Sequence, residues 1–340
     1  MYHIVGVPEP AAPLCRGPDP QVNRWIRRLL NDARPRASSL IVTVWGDALA
    51  PHGGAVWLST LIDLVAPFGI NERLVRTSVF RLARDGWLAA EASGRRSRYR
   101  LTAAGAQRFA QAYRRVYRPP AEPWDGRWEF VLAPPDRVPP PKRRALRAEM
   151  AWAGFGEFAP GTWARPERTD DALARLAALF DDEVALTVFT ARDRDRAGAP
   201  VGTAAGSARA VPGTALADRT PAVWDLGTLA ADYRHFLARF GSVVEALRRR
   251  PEDARDPAQT FAVRTLLVHE YRRVRLRDPQ LPAALLPPDW PGAAAYALAR
   301  AFYRLARPAA EAHLETAFAA GGEELAPALP EFLVRFPDQA

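Results

Sequence analysis

Apolar residues recur every three or four positions between residues 71 and 84, which is the spacing of one face of an α-helix. The stripe, which a serine completes, consists of Leu74, Val75, Ser78, Val79, Leu82 and Ala83. The opposite face carries Arg73, Arg76, Thr77, Phe80 and Arg84. Asn71 is a good N-cap residue and Gly86 a typical helix stop, so the pattern predicts an amphipathic helix with an arginine-rich outer face.

The surroundings of this helix predict a complete small domain. Two apolar-rich helices precede it, SSLIVTVWGDAL at 38–49 and VWLSTLIDLVAPFG at 56–69, separated by PHGG. Gly86 is followed by a strand, a tip at SGRRS, a strand YRLT and a helix AAGAQRFAQAYRRVY. Helix, helix, recognition helix and two-stranded wing is the order of a winged helix-turn-helix. We assign it to residues 21–118, after a leader at residues 1–20 that we expect to be disordered.

The remainder of the chain predicts two further domains. The proline-rich RPPAEPW at 118–124 is interpreted as a linker. Strand candidates at 127–134 and 184–191, helices at 140–153 and 169–180 and a glycine-punctuated hairpin at 154–166 follow. Their order, β-α-β-β-α-β, predicts a ferredoxin-like domain at residues 125–195 that dimerises or spaces the others. After a loop at 193–220 the pattern is helical, and we assign residues 220–320 to a helical regulatory domain. The predicted fold class is therefore multidomain α+β.

Composition restricts the class of protein. The chain has 340 residues, of which 48% are apolar, and its single cysteine, Cys15, excludes an intramolecular disulfide and a metal site built on thiolates. The first residues do not resemble a signal peptide, and no apolar run approaches the ~18 to 20 residues of a membrane span. We therefore expect a soluble cytoplasmic protein without a membrane partner.

The positive charge of the chain is concentrated in its first third. Residues 1–120 contain 18 Lys and Arg against 8 Asp and Glu, whereas residues 121–340 contain 29 against 30. This asymmetry favours a polyanion-binding module joined to an electrostatically neutral remainder. A basic surface kept only for solubility is the alternative.

Double-stranded DNA is the polyanion that the predicted helix and wing suit. The major groove admits a helix, and guanine there offers N7 and O6 to the two-pronged guanidinium of arginine. The candidate DNA-binding residues on the helix are Arg73, Arg76, Thr77, Phe80 and Arg84, and those at the wing are Arg95, Arg96 and Arg98. Ion pairing is the alternative for single arginines, because Arg81 or Arg84 can pair with Asp85 or Glu72 instead of touching DNA.

Long segments of the chain resemble one family of bacterial regulators. They are SSLIVTVWGDALAPHGGAVWLSTLIDLVAPFGINERLVRTSVFRLARDGWLAAEASGRRSRYRLT, then WDGRWEFVL, and LLVHEYRRVRLRDPQLPAALLPPDWPG. They are similar to the PaaX family of regulators of phenylacetate catabolism over roughly residues 37–310. The spacing from Asn71 to Gly86 is also similar, more broadly, to GntR winged-helix regulators. The PaaX resemblance implies a non-enzymatic repressor that binds a palindromic operator as a homodimer and leaves it on binding phenylacetyl-coenzyme A.

A helix near residue 270 is the candidate effector site. The segment TFAVRTLLVHEYRRVRL is apolar nearly all round, so its charged residues are expected to be partly buried and to need partners. Cations on it would hold the phosphates of an acyl-coenzyme A while nearby aromatic side chains enclose the acyl ring. The candidates are Trp224, His269, Tyr271, Arg272, Arg273 and Trp290. An internal network, such as Glu270 with Arg273, is the alternative.

A nucleic-acid-processing enzyme, or a nonspecific nucleic-acid-binding protein, is the alternative function. The β-α-β-β-α-β order also resembles small nuclease-like proteins of CRISPR adaptation, in which an acidic residue at the end of the first strand can hold a metal. Here Asp136 stands alone after two prolines, and Asp181, Asp182 and Glu183 are interpreted as a solvated turn. Metal-assisted hydrolysis needs several converging oxygen ligands. No cofactor, metal site or catalytic residue is therefore expected, and a preference of ~10³ for one palindromic site would identify a repressor.

Overall fold

A computed structural model describes residues 17–94, 96–119, 124–180, 184, 186–192 and 216–337. Most of the predicted leader with Cys15, the wing residue Arg95, the acidic turn 181–183 and most of the loop 193–220 lie outside these residues. The chain divides into two compact units, one formed by residues 1–109, 240–269 and 300–333, the other by residues 110–239, 270–299 and 334–340. In the described part of the chain, no helix is long and apolar enough to cross a membrane.

The N-terminal part of the first unit contains four helices and a small sheet. The helices are α1 (Pro20–Asp32), α2 (Ala37–Val44), α3 (Leu58–Val65) and α4 (Glu72–Arg84). The strands are β1 (Ala55–Trp57), β2 (Leu88–Ser93) and β3 (Arg96–Leu101), and the antiparallel sheet has the order β1-β3-β2. The helix α5 (Ala103–Tyr117) follows the hairpin. The predicted order of three helices and a two-stranded hairpin is therefore present.

Two local predictions in this region are wrong. The segment predicted as one helix from residue 56 to 69 begins with the strand β1, whose residues pair with Tyr99 and its neighbours on β3. The pattern could not reveal this strand, because a three-residue strand has no periodicity of its own and depends on its distant partner. Leu74, expected in the buried stripe, is 44% exposed because it lies at the border of that stripe, one step from the exposed face.

The central domain of the second unit has the predicted β-α-β-β-α-β connectivity. Its elements are β4 (Arg127–Leu132), α6 (Pro140–Trp152), β5 (Gly156–Ala159), β6 (Thr162–Pro166), α7 (Ala172–Phe180) and β7 (Thr187–Arg192). The strand order is β5-β6-β4-β7, and every neighbouring pair is antiparallel. Apolar residues of β4 and α6 such as Val131 and Met150 are fully buried in one core with Phe155 and Leu176.

The rest of the described chain is helical. Its helices are α8 (Leu216–Val223), α9 (Leu226–Arg248), α10 (Pro257–Arg275), α11 (Gly292–Ala320) and the short α12 (Pro330–Leu333). The helices α9, α10 and α11 each contribute residues to both units. The predicted helical domain at residues 220–320 is therefore not one of the two compact units.

Candidate functional site

The helix α4 forms where its sequence signals place it. The side chain of Asn71 accepts a hydrogen bond from the Leu74 backbone N–H at 3.0 Å, which caps the first turn. Gly86 has a φ of +74°, a left-handed conformation that suits glycine best and that ends the helix. Val75 and Val79 are fully buried, so one face of α4 packs on its domain.

The other face of α4 is open to solvent. Its exposed residues are Arg73, Arg76, Thr77, Phe80 and Arg84. Phe80 is 66% exposed, which is unusual for a large apolar side chain and indicates a surface available to a partner. The predicted division of this helix into a packed face and an exposed face is confirmed.

Two arginines of α4 have acidic neighbours, as the ion-pair alternative expected. Arg76 donates to Glu72 at 2.7 Å one turn earlier, and Arg84 lies 3.2 Å from the carboxylate of Asp85. All four side chains are more than half exposed, so these pairs are worth little and can exchange for a phosphate or a base. In the part of the chain that the structure describes, Arg73 forms no ion pair.

The hairpin β2–β3 lies directly after α4. Thr102 Oγ1 accepts from the Gly105 N–H at 2.9 Å and caps α5, whose Phe109 packs edge-on against Trp87 at 5.7 Å between ring centroids. A Cβ at Gly105 would lie 2.1 Å from the carbonyl oxygen of Trp87, so only glycine allows this close approach. These contacts fix the base of the hairpin to α5.

The arginines of the predicted wing contact a later part of the same unit. The Arg96 guanidinium lies 4.2 Å from the ring centroid of Trp57 and donates to the Gly321 carbonyl at 2.6 Å. Arg98 forms an ion pair with Glu323 at 2.8 Å. Arg95, the third predicted wing residue, lies outside the described residues.

A buried charge network lies in the core of the same unit, and the sequence prediction missed it. Asp47 stands in a π-helical turn, Trp45–Leu49, and accepts from Arg264 Nε and from the Tyr303 hydroxyl, each at 3.0 Å. Arg264 is 1% exposed, and its second partner is Glu311 at 2.9 Å. Burial disfavours the charge of Arg264, but Asp47, Tyr303 and Glu311 together outweigh this and hold its pKa above the ordinary value. Asp47 and Arg264 are each a single charged residue inside an apolar stretch of the sequence, and this pattern could have indicated the network.

His52 extends the network to its edge. The ring nitrogens of His52 contact Glu311 Oε2 at 2.8 Å and the carbonyl oxygen of Ala326 at 2.6 Å. Burial alone would raise the pKa of Glu311, but the hydrogen bonds from His52 and Arg264 lower it below its ordinary value. The carboxylate is therefore ionised over the whole neutral range.

Two of the predicted effector residues lie in one aromatic cluster of the second unit. Trp224 stacks on Trp128 and lies edge-on to Phe158, with centroid distances of 6.5 and 5.5 Å. Trp290 packs against the same cluster and contacts Tyr233 at 5.8 Å. The indole N–H of Trp224 is buried and has no hydrogen-bond acceptor among the described residues.

The other predicted effector residues lie along α10 in different surroundings. Tyr271 and His269 are each 1% exposed, and burial raises the pKa of the Tyr271 hydroxyl. His269 Nδ1 lies 2.9 Å from Thr43 Oγ1. Burial lowers the pKa of Arg272.

The expectation of partial burial is wrong for Arg273, whose side chain is 59% exposed. Its neighbour Glu270 accepts from it at 3.2 Å, so the internal network considered as the alternative is present. Trp224 and Trp290 share one cluster, and the assignment of the other residues to an effector site stays a prediction.

The acidic residues of the central domain do not converge. Asp136 is 78% exposed and its carboxylate lies 3.7 Å from Arg137, while residues 181–183 lie outside the described part of the chain. Within the described residues, no group of three or more His, Cys, Asp and Glu side chains could hold a metal ion. The geometry that metal-assisted hydrolysis requires is thus not found in the described part of this domain.

Three family models match successive parts of the chain. A model described as PaaX-like protein matches residues 36–105, the PaaX protein central Cas2-like domain matches residues 121–201, and the PaaX-like protein C-terminal domain matches residues 224–316.

Individual proteins are similar over different lengths. The chain is 32% identical to the transcriptional repressor PaaX of Escherichia coli over 293 residues, which cover 85% of this chain and 86% of that protein. A solved structure of an uncharacterised protein from Mycobacterium tuberculosis is 28% identical and covers 75% of this chain and 89% of that one, with a TM-score of 0.43. A bifunctional tRNA-modification protein of Burkholderia multivorans is 43% identical over only 72 residues, 20% of this chain and 11% of that protein.

Proposed function

Since this chain belongs to the PaaX family of transcriptional regulators, we propose that it is a repressor that reads an operator through a winged helix. The observation that carries the proposal is the exposed face of α4, where Arg73, Thr77 and Phe80 project from a helix packed on its opposite side. An amphipathic helix of this kind enters the major groove with its exposed face toward the base edges. The side chain of Arg73 is the candidate for two hydrogen bonds to a guanine.

The hairpin β2–β3 is the proposed wing. Arg96 and Arg98 lie on β3, and positively charged side chains in this position contact flanking phosphates or a narrow minor groove. Both have partners in the free protein, so DNA has to compete with Gly321 and Glu323 for them. Contacts to phosphate add affinity without sequence preference.

The operator is proposed to be palindromic and the protein to act as a homodimer. Symmetric dimers read symmetric sites because each protomer places one recognition helix in one half-site. The spacing of the half-sites then depends on how the dimer holds its two winged helices. The central domain at residues 125–195 is the candidate for dimerisation or spacing.

The proposed effector is an aromatic acyl-coenzyme A such as phenylacetyl-coenzyme A, as the family resemblance implies. Trp224 and Trp290 support an aromatic acyl group, since they belong to one cluster in which the Trp224 N–H has no acceptor among the described residues. His269, Tyr271, Arg272 and Arg273 remain candidates from the sequence. The effector releases DNA to the extent that it binds the released state more tightly than the bound one.

Footprinting on the promoter regions near the gene for this protein tests the proposal. A repressor should protect a palindromic site and prefer it over random duplex by ~10³ or more, and phenylacetyl-coenzyme A should remove the protection. Equal binding to all duplexes would identify a nonspecific nucleic-acid-binding protein instead. An enzyme does not fit a family of transcriptional regulators.

A further inference from the structure

A pocket of about 330 Å³ lies within the second unit, apart from all the residues proposed so far for the effector. Its walls come from the last turns of α5, the end of α6, the segment from β6 into α7, and residues 280 and 282. Five arginines line it: Arg114, Arg115, Arg118, Arg168 and Arg175. A volume at the lower end of the roughly 300–1,000 Å³ of small-molecule sites suits part of a nucleotide.

The carboxylates that line the pocket already have basic partners. Asp170 is bound through both oxygens by the buried Arg165, at 2.8 and 3.1 Å. Asp171 pairs with Arg175, and Glu167 lies 3.5 Å from Arg127. The lining holds five arginines against three carboxylates, so it carries a net positive charge.

Three other arginines of the lining, Arg114 and Arg115 on α5 and Arg118 just after it, have no carboxylate within ion-pair distance among the described residues. Arg114 and Arg115 lie four and three residues before Arg118, and all three line the same pocket. In the described ranges of the chain, none of the three forms an ion pair. Like charges gathered in this way repel each other, so an anion bound among them would be favoured.

Arg115 shows the cost of this arrangement. It donates to the carbonyl oxygen of Asp278 at 2.9 Å and to that of Trp152, whose ring centroid lies 4.9 Å from its guanidinium carbon. Its Nε is buried and has no hydrogen-bond partner among the described residues. Burial, and then the charge of Arg168, lower the pKa of Arg115 to about 10. An anion near this guanidinium would favour its charged form and offset the cost of burying it.

The chemistry of the lining identifies the class of anion. Guanidinium groups bind phosphate through paired, charge-assisted hydrogen bonds, and several of them together suit a ligand with more than one phosphate. Trp124 and Trp152 add flat apolar walls that suit a heterocyclic base. We propose that this pocket binds the phosphorylated nucleotide end of the acyl-coenzyme A effector. This inference rests on the proposed function for the acyl part of the ligand, and on the pocket alone for its phosphates.

Calorimetry on the full-length protein tests the pocket directly. The probes are adenosine 3′,5′-bisphosphate, inorganic pyrophosphate and phenylacetate, at one fixed ionic strength. The bisphosphate should give a saturable heat, and phenylacetate should give less. The double variant Arg114→Ala/Arg118→Ala should bind the bisphosphate at least about tenfold more weakly, because each lost charged hydrogen bond weakens binding substantially.

The matched control is Arg137→Ala/Arg144→Ala, which removes the same charge from exposed positions outside the pocket. It should bind the bisphosphate like the parent protein. An absence of saturable heat in the parent, or equal binding by the two double variants, would overturn the inference. Thermal unfolding of each variant checks that the fold is intact.

Operator release separates this inference from the proposed function. The Arg114→Ala/Arg118→Ala protein should bind the operator like its parent but need at least about tenfold more phenylacetyl-coenzyme A for release. Unchanged release would overturn the pocket and leave the repressor standing. Loss of operator binding in this variant alone would mean that these arginines bind DNA phosphates instead of the effector. A parent protein that binds no operator would refute the proposed function, and the calorimetry would still test the pocket.

Discussion

At the scale of single residues, Arg73 is the clearest candidate for reading a base. It is exposed on the open face of α4, and it forms no ion pair in the described part of the chain, whereas Arg76 pairs with Glu72. Arg73→Ala should cost ~1 to 3 kcal/mol of operator affinity and relax the preference at one base pair in each half-site. Folding should barely change. Competitive mobility shifts with operators substituted at single positions measure this.

Arg28→Ala is the control for Arg73, because it removes an exposed arginine of α1 from the same unit. It should reduce affinity for all sequences equally or not at all. The same loss of base preference in both variants, or in neither, would contradict the role of α4 as the recognition helix. Arg76→Ala should resemble Arg73→Ala, although it also removes the pair with Glu72.

Glu311 predicts how stability depends on pH. Its pKa is lowered in the folded protein, because the hydrogen bonds from His52 and Arg264 outweigh the effect of burial. A lowered pKa means that its stabilisation is fully present above the ordinary value of about 4.5 and is lost as pH falls through the folded value. Urea unfolding between pH 7 and pH 3 should show this loss.

Glu311→Gln should reduce both the stability at pH 7 and its decline below pH 4.5. Glu315→Gln is the matched control, since Glu315 is exposed one turn further along α11. It should keep the pH dependence of the parent. Parallel curves for all three proteins would mean that Glu311 contributes nothing to acid unfolding.

At the scale of elements, the hairpin β2–β3, the proposed wing, is held in the free protein by residues of the same unit. Glu323 pairs with Arg98 and also accepts from the Trp57 backbone N–H at 3.3 Å. Glu323→Gln should release Arg98, strengthen binding to all duplexes and steepen the salt dependence by up to ~0.9 in log–log slope for one additional phosphate contact. Binding to random duplex measured over a range of salt concentrations tests this.

Glu324→Gln is the control for the wing, because Glu324 is the exposed neighbour. It removes the same charge without touching Arg98, so it reports the general effect of a less acidic surface. Equal changes in the two variants would show that Glu323 does not restrain the wing. Arg96→Ala should weaken binding to all DNA sequences. Its thermal unfolding must be compared with that of the parent, because the variant also loses the contacts of Arg96 with the Trp57 ring and the Gly321 carbonyl.

At the scale of the whole molecule, the compact units cut across the order of the sequence. Residues 240–269 and 300–333 belong with residues 1–109, so a cut near residue 120 separates parts of one unit. We expect neither residues 1–118 nor residues 121–340 to unfold cooperatively at the stability of the full chain. The first would lose the segments that carry Arg264, Tyr303 and Glu311, the residues that surround Asp47. In the intact chain, removing Arg264 alone would leave Asp47 buried without its partner, which costs about 3–5 kcal/mol.

Circular dichroism during urea unfolding of both fragments and the full chain measures this. Full-length Arg264→Met isolates the contribution of the buried pair, since it removes the charge but keeps much of the side-chain volume. A fragment of residues 121–340 that unfolds in one transition at the midpoint of the full chain would contradict the expectation. Because of this division, effector binding is best studied on the full-length protein.

The sequence by itself determined the elements that local signals specify. The N-cap at Asn71, the stop at Gly86 and the stripe through Val75 and Val79 predict α4 and its open face, because each acts within a few residues. The β-α-β-β-α-β connectivity was predicted for the same reason. Family membership also followed from the sequence, since long segments of the chain resemble the motifs of that family.

Only the tertiary structure decided which distant residues meet. The strand β1, the pairing of Asp47 with Arg264, the contact of Arg98 with Glu323 and the arginine-lined pocket all join residues separated by tens to hundreds of positions. Periodicity carries no information on such pairs, because it reports which face of an element is buried but not against what. The candidate DNA face could therefore be predicted from one helix, whereas the candidate effector pocket could not, because its walls come from four separate segments of the folded chain.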